Sequence, residues 1–159
     1  MQFWYKLLTY LFYPISHIYL FFRKLKKKEH PTRYKEKLSQ IKTPRPEGFL
    51  LWCHVASVGE AMSILPLIEN FKKEEKIKKI LITTITVSSA QVLEKKFTND
   101  LKIIHQFLPL DVPKFVNKFL DHWSPNLSIF IDSEIWPNLI FNVKKKNIPL
   151  LLINARITK

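Results

Sequence analysis

The stretch FLLWCHVASVGE, residues 49–60, decides the fold, because an apolar run passes directly into the start of a helix. Its first seven residues are almost entirely apolar, which is typical of a strand that is buried on both faces of a parallel sheet. Ser57, followed three residues later by Glu60, is the capping-box signature of a helix N-terminus. The stretch therefore predicts a strand, a short loop and a helix in succession.

Four further apolar runs follow the first: KILITTI, KIIHQF, LSIFID and PLLLIN, which begin at residues 79, 102, 127 and 149. The segments between them carry apolar residues at helical spacing, such as Ile64, Leu67, Ile68 and Phe71. Apolar strands that alternate with amphipathic helices are typical of α/β domains. We predict a Rossmann-like parallel sheet with flanking helices over residues 49–159, preceded by a linker with a helical stub over residues 29–48.

The first 28 residues have a different character from the rest of the chain. No Asp, Glu, Lys or Arg occurs from Leu7 to Phe22, and the basic run from Arg23 to Lys28 follows. Positive charge beside an apolar segment stays on the cytoplasmic side of a membrane. We predict a membrane-anchor helix with its basic flank over residues 1–28. A helix that lies in the membrane interface and a soluble core helix remain open alternatives.

The overall composition narrows the possible functions. The formal net charge of +13 favours anionic partners, namely phosphorylated lipids, membrane surfaces or nucleic acid. No nucleic-acid-binding motif accompanies that charge, so we expect no nucleic-acid partner. The two glycines, Gly48 and Gly59, are too few for a glycine-rich phosphate loop, and the single cysteine excludes a disulfide framework. No set of metal ligands is evident.

Polar and acidic residues follow the predicted strands, and the carboxyl ends of parallel strands meet at one edge of the sheet. Three carboxylates gather there in an otherwise basic protein, which indicates a site: Glu60, Asp132 and Glu134. Spacing alone leaves two roles open for Glu60, a helix cap or a proton acceptor. Asp111, just before Val112 and Pro113, is expected to cap the helix that follows it.

Five segments occur in the order expected of one family: LLWCHVASVGE, ILITTITVSSA, FLPLDVP, SEIWPN and IPLLLINAR. On these segments the chain resembles the amino-terminal half of the 3-deoxy-D-manno-octulosonic acid (Kdo) transferases, the lipid A glycosyltransferases of Gram-negative bacteria. The resemblance implies a GT-B fold, in which two Rossmann-like domains face each other across a cleft. The amino-terminal domain would bind the acceptor. The carboxyl-terminal domain, which is absent from this sequence, would bind the donor CMP-Kdo.

The resemblance also implies roles for individual residues. Glu60 corresponds to the general base that deprotonates the acceptor hydroxyl during an inverting transfer, with no metal or other cofactor expected at the chemical step. Asp132 corresponds to a second acidic position that is usually Glu, with a role in stabilising the transition state. The remaining predicted site residues would bind or shape the pocket for the substrate: Ser57, Gly59, Thr83, Thr84, Glu134 and Arg156.

The function implied is that of the acceptor-binding half of a Kdo transferase in lipopolysaccharide core biosynthesis, active only together with a donor domain. The alternative is a non-catalytic, membrane-bound lipid-binding remnant of that enzyme. The expected partners are a lipid A precursor, anionic lipids of the bacterial inner membrane and a separate donor-domain chain. The expected location is the cytoplasmic face of the inner membrane.

Overall fold

The computed structural model describes residues 2–131 and 136–153, which form one parallel sheet with helices on both faces. The sheet has five strands in the order β3-β2-β1-β4-β5, and all of its strand pairs are parallel. This confirms the predicted α/β class and the five predicted strands. The strands are β1 (Phe49–His54), β2 (Ile77–Thr84), β3 (Ile103–Phe107), β4 (Leu127–Ile131) and β5 (Leu150–Ile153).

The helices fall between the strands as the apolar periodicity predicts. An N-terminal helix and a short 3-10 helix precede the sheet, and two consecutive helices separate β1 from β2. The helices are α1 (Gln2–Leu25), the 3-10 helix (Arg33–Leu38), α2 (Val58–Ser63), α3 (Leu65–Lys73), α4 (Val87–Lys96), α5 (Pro113–Trp123) and α6 (Pro137–Lys145).

Each face of the sheet has its own hydrophobic core, because successive strand residues point to opposite faces. On β1, Leu51 and Cys53 face the helices α2, α3 and α4, whereas Leu50 and Trp52 face α5 and α6. All four side chains are fully buried. This two-sided burial explains why the strands are apolar throughout.

The strand order reverses at β1, and this position locates the expected site. The chain runs outward from β1 through β2 to β3, and then crosses to β4 on the other side of β1. In open α/β sheets, ligands bind beyond the carboxyl ends of the strands at such a switch point. The carboxyl ends of β1 and β4 therefore flank the crevice where a ligand is expected.

The edge strand β3 is covered by an ion pair from the 3-10 helix. Arg33 Nη2 donates to the carbonyl oxygen of His105 at 2.9 Å, and the Phe107 amide donates to Glu36 Oε2 at 2.9 Å. Arg33 and Glu36 are themselves joined by two hydrogen bonds of 2.8 and 3.0 Å. The pair thus satisfies edge groups that would otherwise be open to another strand.

Helix α1 lies along the domain and contacts it through one side. Leu20 is fully buried in a small cluster with Val112 and Phe115, and the Tyr13 ring lies 5.1 Å from that of Phe115. Another stripe of α1 faces outward, and each of its large side chains is more than half exposed: Trp4, Leu8, Leu11, Ile15, Ile18, Phe22 and Leu25.

Within residues 2–131 and 136–153, no helix is long and apolar enough to cross a membrane. The spanning form of the predicted anchor is therefore not supported. The uncharged stretch from Leu7 to Phe22 is only about 24 Å long as a helix, against about 30 Å of bilayer hydrocarbon. That stretch also contains Pro14, Ser16 and His17, which lower its mean hydropathy.

Candidate functional site

The start of α2 forms a variant of the capping box, in which the Glu60 carboxylate accepts from the Ala56 amide and the Ser57 hydroxyl in place of the Ser57 amide. The Glu60 amide donates to Ser57 Oγ at 3.2 Å, and the Ser57 hydroxyl donates to Glu60 Oε1 at 2.8 Å. The other carboxylate oxygen, Oε2, accepts from the Ala56 amide at 2.7 Å. The capping role predicted from the spacing is therefore real, and it fixes the orientation of the Glu60 carboxylate.

An open hollow of about 540 Å³ lies beside this box at the carboxyl ends of the strands. Its walls come from the segments after β1, β2 and β4: Ala56, Ser57 and Val58, then Ile85, Thr86 and Ser88, and finally Trp136. Glu60 is not in the wall, but its two hydrogen-bond donors, Ala56 and Ser57, are. Glu60 is partly exposed, and its carboxylate is held by those two donors.

Thr83 and Thr84, which were predicted to bind substrate, are fully buried. Thr83 Oγ1 accepts from the Trp52 indole at 2.9 Å and lies 3.0 Å from His54 Nδ1. Thr84 Oγ1 lies 3.0 Å from His105 Nε2. Because both hydroxyls are enclosed and hydrogen-bonded within the domain, direct contact with an acceptor would require these bonds to break.

His54 is a fully buried core histidine, and His105 is a largely buried histidine of the edge strand β3; burial keeps both neutral. Burial lowers the pKa of His54 from its ordinary value to about 4. Burial, with a further contribution from the Arg33 charge, lowers the pKa of His105 to about 3. Arg33 Nη2 lies 2.9 Å from His105 Nδ1 and can only donate, so the His105 proton belongs on Nε2, facing Thr84.

Asp111 caps a different helix from the one predicted. Its carboxylate accepts from the Asn138 and Leu139 amides at 3.0 and 2.9 Å, at the start of α6. The N-cap residue of α5 is Val112, and it makes no side-chain capping bond. The same carboxylate accepts from the Tyr5 hydroxyl at 2.9 Å, so it also ties α1 to the domain. Burial raises the pKa of Asp111, and burial together with Asp111 raises the pKa of Tyr5 to about 12.

The remaining predicted site residues divide into two groups. Ser57 lines the hollow, and Gly59 is exposed on the first turn of α2. The structure therefore brings Ser57, Gly59 and Glu60 together. Asp132, Glu134 and Arg156 lie outside the described residues, and their roles stay predictions.

Six of the seven residues of the wall were not among the predicted site residues, and three of these six carry polar side-chain groups: Thr86, Ser88 and Trp136. A signal for the first two was available in the sequence, because Thr86 stands three residues before Ser89 and so marks a helix N-cap. If β2 is taken to end just before that N-cap, Thr83 and Thr84 lie inside the strand. The sequence also indicates the position of Trp136 at a helix start, because Trp136 directly precedes Pro137. A proline suits the first turn of a helix.

The strand order, the helices on both faces and the site at the switch point define an α/β domain of the kind that forms the amino-terminal half of a GT-B glycosyltransferase. The family model for 3-deoxy-D-manno-octulosonic-acid transferase (kdotransferase) matches residues 32–159. The chain therefore belongs to the Kdo transferase family.

Curated relatives agree with this membership. The chain is 38% identical over 154 residues to a probable mitochondrial 3-deoxy-D-manno-octulosonic acid transferase of Arabidopsis thaliana, covering 97% of this chain and 34% of the relative. It is 41% identical over 154 residues to the 3-deoxy-D-manno-octulosonic acid transferase of Rickettsia bellii, covering 97% of this chain and 36% of the relative. The chain is 31% identical over 133 residues to the 3-deoxy-D-manno-octulosonic acid transferase of Haemophilus influenzae, covering 79% of this chain and 30% of the relative. The chain thus spans about a third of the length of these relatives.

Proposed function

We propose that this chain is the acceptor-binding half of an inverting glycosyltransferase that moves Kdo from CMP-Kdo to a lipid A precursor. The proposal is carried by the family match over residues 32–159, which includes the Ser57–Glu60 box beside the switch point. The donor CMP-Kdo would bind a second domain. The exposed apolar side chains of Leu151, Leu152 and Ile153 on the edge strand β5 offer a surface for further polypeptide.

Glu60 would act as the general base in this reaction. A single displacement with inversion needs one group on the acceptor side to take the proton from the attacking hydroxyl. The Ala56 amide and the Ser57 hydroxyl each occupy one lone pair of the carboxylate, so both oxygens keep a lone pair for that proton. The same bonds hold the base in one position, which limits the reorganisation needed for transfer.

Residues of the hollow and the remaining predicted residues would complete the acceptor site. Ser57, Thr86 and Ser88 present hydroxyl groups on or near the hollow, as a sugar ring requires. Asp132 would stabilise the transition state, and Glu134 would orient the acceptor. Arg156 would pair with an acceptor phosphate, for which a guanidinium is well suited because its donors are arranged as a fork.

Helix α1 would hold the domain on the membrane surface. Its exposed stripe repeats every three or four residues from Trp4 to Leu25, over roughly 32 Å. Five basic residues lie in the last turn of α1 or directly after the helix: Arg23, Lys24, Lys26, Lys27 and Lys28. An apolar stripe beside clustered positive charge is typical of a helix that lies in the interface of an anionic membrane.

Reconstitution tests the enzymatic proposal. The 159-residue chain would be mixed with the separately expressed carboxyl-terminal half of the Rickettsia bellii relative, and transfer from CMP-Kdo to a lipid A precursor would be followed. Kdo transfer by the mixture, but by neither component alone, is the expected result. A mixture that binds the acceptor but never transfers Kdo would leave the non-catalytic lipid-binding module as the better description.

Vesicle sedimentation tests the role of α1. Leu11→Glu should weaken binding to vesicles that contain an anionic lipid, because it places a charge in the middle of the exposed stripe. Leu101→Glu is the matched control, since Leu101 is also exposed but lies between α4 and β3. Equal losses in the two variants would argue against α1 as the membrane-binding surface.

A further inference from the structure

A second concave surface lies away from the hollow at the strand ends. It is a pocket of about 490 Å³ beside the edge strand β3, bounded by the 3-10 helix, the segment 40–43 and the end of α1. The residues that line it and those that line the hollow have no member in common. The function proposed above makes no use of this pocket.

The pocket carries uncompensated positive charge from three lysines, Lys24, Lys35 and Lys42. The Nζ atoms of Lys35 and Lys42 have no hydrogen bond or ion pair within the described part of the chain. Lys24 Nζ lies 4.9 Å from the centre of the Tyr34 ring, on the wall formed by α1. Arg33, which also lines the pocket, is bonded to Glu36 and pairs with Glu94 as well. These three side chains together carry one net negative charge, so the three lysines leave the pocket with a positive surplus.

Gln106 supplies a second, independent observation. Its side chain is almost completely buried at the pocket, and its Oε1 accepts from the Trp123 indole at 2.8 Å. An indole N–H can only donate, so this bond fixes which end of the amide is oxygen. The Gln106 Nε2 group is then left as a buried donor without a partner among the described residues. A buried donor of this kind is unfavourable unless an acceptor reaches it.

We propose that this pocket binds a phosphate group carried by a small molecule or a lipid headgroup. A phosphate presents several acceptor oxygens and a charge close to −2, so one group can satisfy the Gln106 amide and pair with the lysines at the same time. The end of α1 forms part of the wall, which places the pocket next to the surface through which we propose that the domain meets a membrane. The pocket itself is independent of the proposed catalytic role.

The side-chain amide of Gln106 provides a local probe for the test. The full 159-residue chain, labelled with nitrogen-15, would be titrated with inorganic phosphate and, separately, with dihexanoyl phosphatidic acid below its micelle concentration. We expect saturable shifts of the Gln106 amide and the Trp123 indole signals. Tighter binding of the lipid identifies a headgroup as the ligand, and equal binding identifies the phosphate alone; both results support the pocket.

Two variants make the test decisive. Lys35→Gln/Lys42→Gln should weaken binding about tenfold, because it removes two facing charges. Lys144→Gln/Lys145→Gln lowers the net charge equally on exposed residues of α6, and it should leave the affinity unchanged. Gln106→Glu keeps an acceptor for Trp123 while removing the donor, and the folded variant should no longer show a shift of the Trp123 indole signal. Absence of shifts in the wild type, or equal weakening in both lysine pairs, would overturn the proposal.

Discussion

The starts of α2 and α4 have nearly the same structure but different chemistry. Ser57-Val58-Gly59-Glu60 opens α2 after β1, and Thr86-Val87-Ser88-Ser89 opens α4 after the neighbouring strand β2. In each, the N-cap hydroxyl oxygen accepts from the amide three residues later at 3.2 Å. The third position holds a partly exposed glutamate in α2 and a fully buried serine in α4.

This difference shows what capping does and does not require. Ser89 completes the α4 start with a neutral hydroxyl, which lies 2.7 Å from Thr86 Oγ1 and donates to the Thr86 carbonyl at 3.1 Å. A helix after a strand of this sheet can therefore be capped without a carboxylate. The cap therefore does not require the charge on Glu60, and we propose that this charge serves the acceptor site.

The largest effect should come from making α2 resemble α4 in charge. Glu60→Gln removes the proposed base but keeps a side chain that can form a capping box, so stability should change by less than about 1 kcal/mol. Kdo transfer in the reconstituted mixture should fall by about 10²–10⁴-fold. Glu75→Gln, at an exposed position after α3, is the control and should retain full transfer. Undiminished transfer by Glu60→Gln would make Glu60 a cap only.

The carboxyl ends of β1 and β2 should also contribute differently to the pH dependence of stability. His54 at the end of β1 has a pKa lowered to about 4 by burial, whereas β2 ends in threonines that do not titrate. The unfolded chain takes up this proton below about pH 6.5 and the folded chain does not, so the stability contribution is complete above pH 6.5 and is lost as the pH falls toward 4. The slope should approach about 1.4 kcal/mol per pH unit for this histidine.

Comparison with His54→Asn isolates this contribution, because His105 remains in both proteins and adds its own loss at low pH. Urea unfolding at a series of pH values between 4 and 7 provides the measurement. The variant should be less stable at pH 7 but should lose less stability between pH 6.5 and 4 than the wild type. Parallel pH profiles would show that His54 takes up its proton in the folded state.

Removing the N-cap hydroxyl of α2 or of α4 should lower the stability of the chain by similar amounts, with smaller effects than those predicted above. Ser57→Ala and Thr86→Ala each delete the hydroxyl that accepts from the third amide of the helix, at a cost of about 1 kcal/mol in the free energy of unfolding. Ser57→Ala should in addition reduce Kdo transfer, because the Ser57 hydroxyl also orients Glu60. Denaturant unfolding and the transfer assay together check both parts. A loss of transfer in Thr86→Ala equal to that in Ser57→Ala would remove the distinction between the two helix starts.

The sequence predicts features that depend on local periodicity and fails where distant contacts decide. The strands from Phe49 to Ile153 follow from apolar runs, and the Ser57–Glu60 box follows from a spacing of three. The sequence does not show that Thr83 and Thr84 are buried, since an apolar run does not indicate at which residue the strand ends. The Asp111 carboxylate accepts hydrogen bonds from amides 27 and 28 residues away, and no local sequence pattern predicts such a partner.

The smallest effect concerns Gly59, whose counterpart in α4 is Ser88. Gly59 has no positive φ, and an added Cβ would meet only Ser57 Oγ at 3.9 Å; Gly48, by contrast, has φ +79° and would place a Cβ 2.6 Å from Lys78 Cγ. Gly59→Ala should therefore stabilise the chain by roughly 0.5–1 kcal/mol, while Gly48→Ala should destabilise it. If the bare backbone at Gly59 serves acceptor approach, the more stable Gly59→Ala should bind a lipid A precursor more weakly. Unchanged binding in the stabilised variant would show that a side chain at this position is compatible with the acceptor, as Ser88 is with the wall of the hollow.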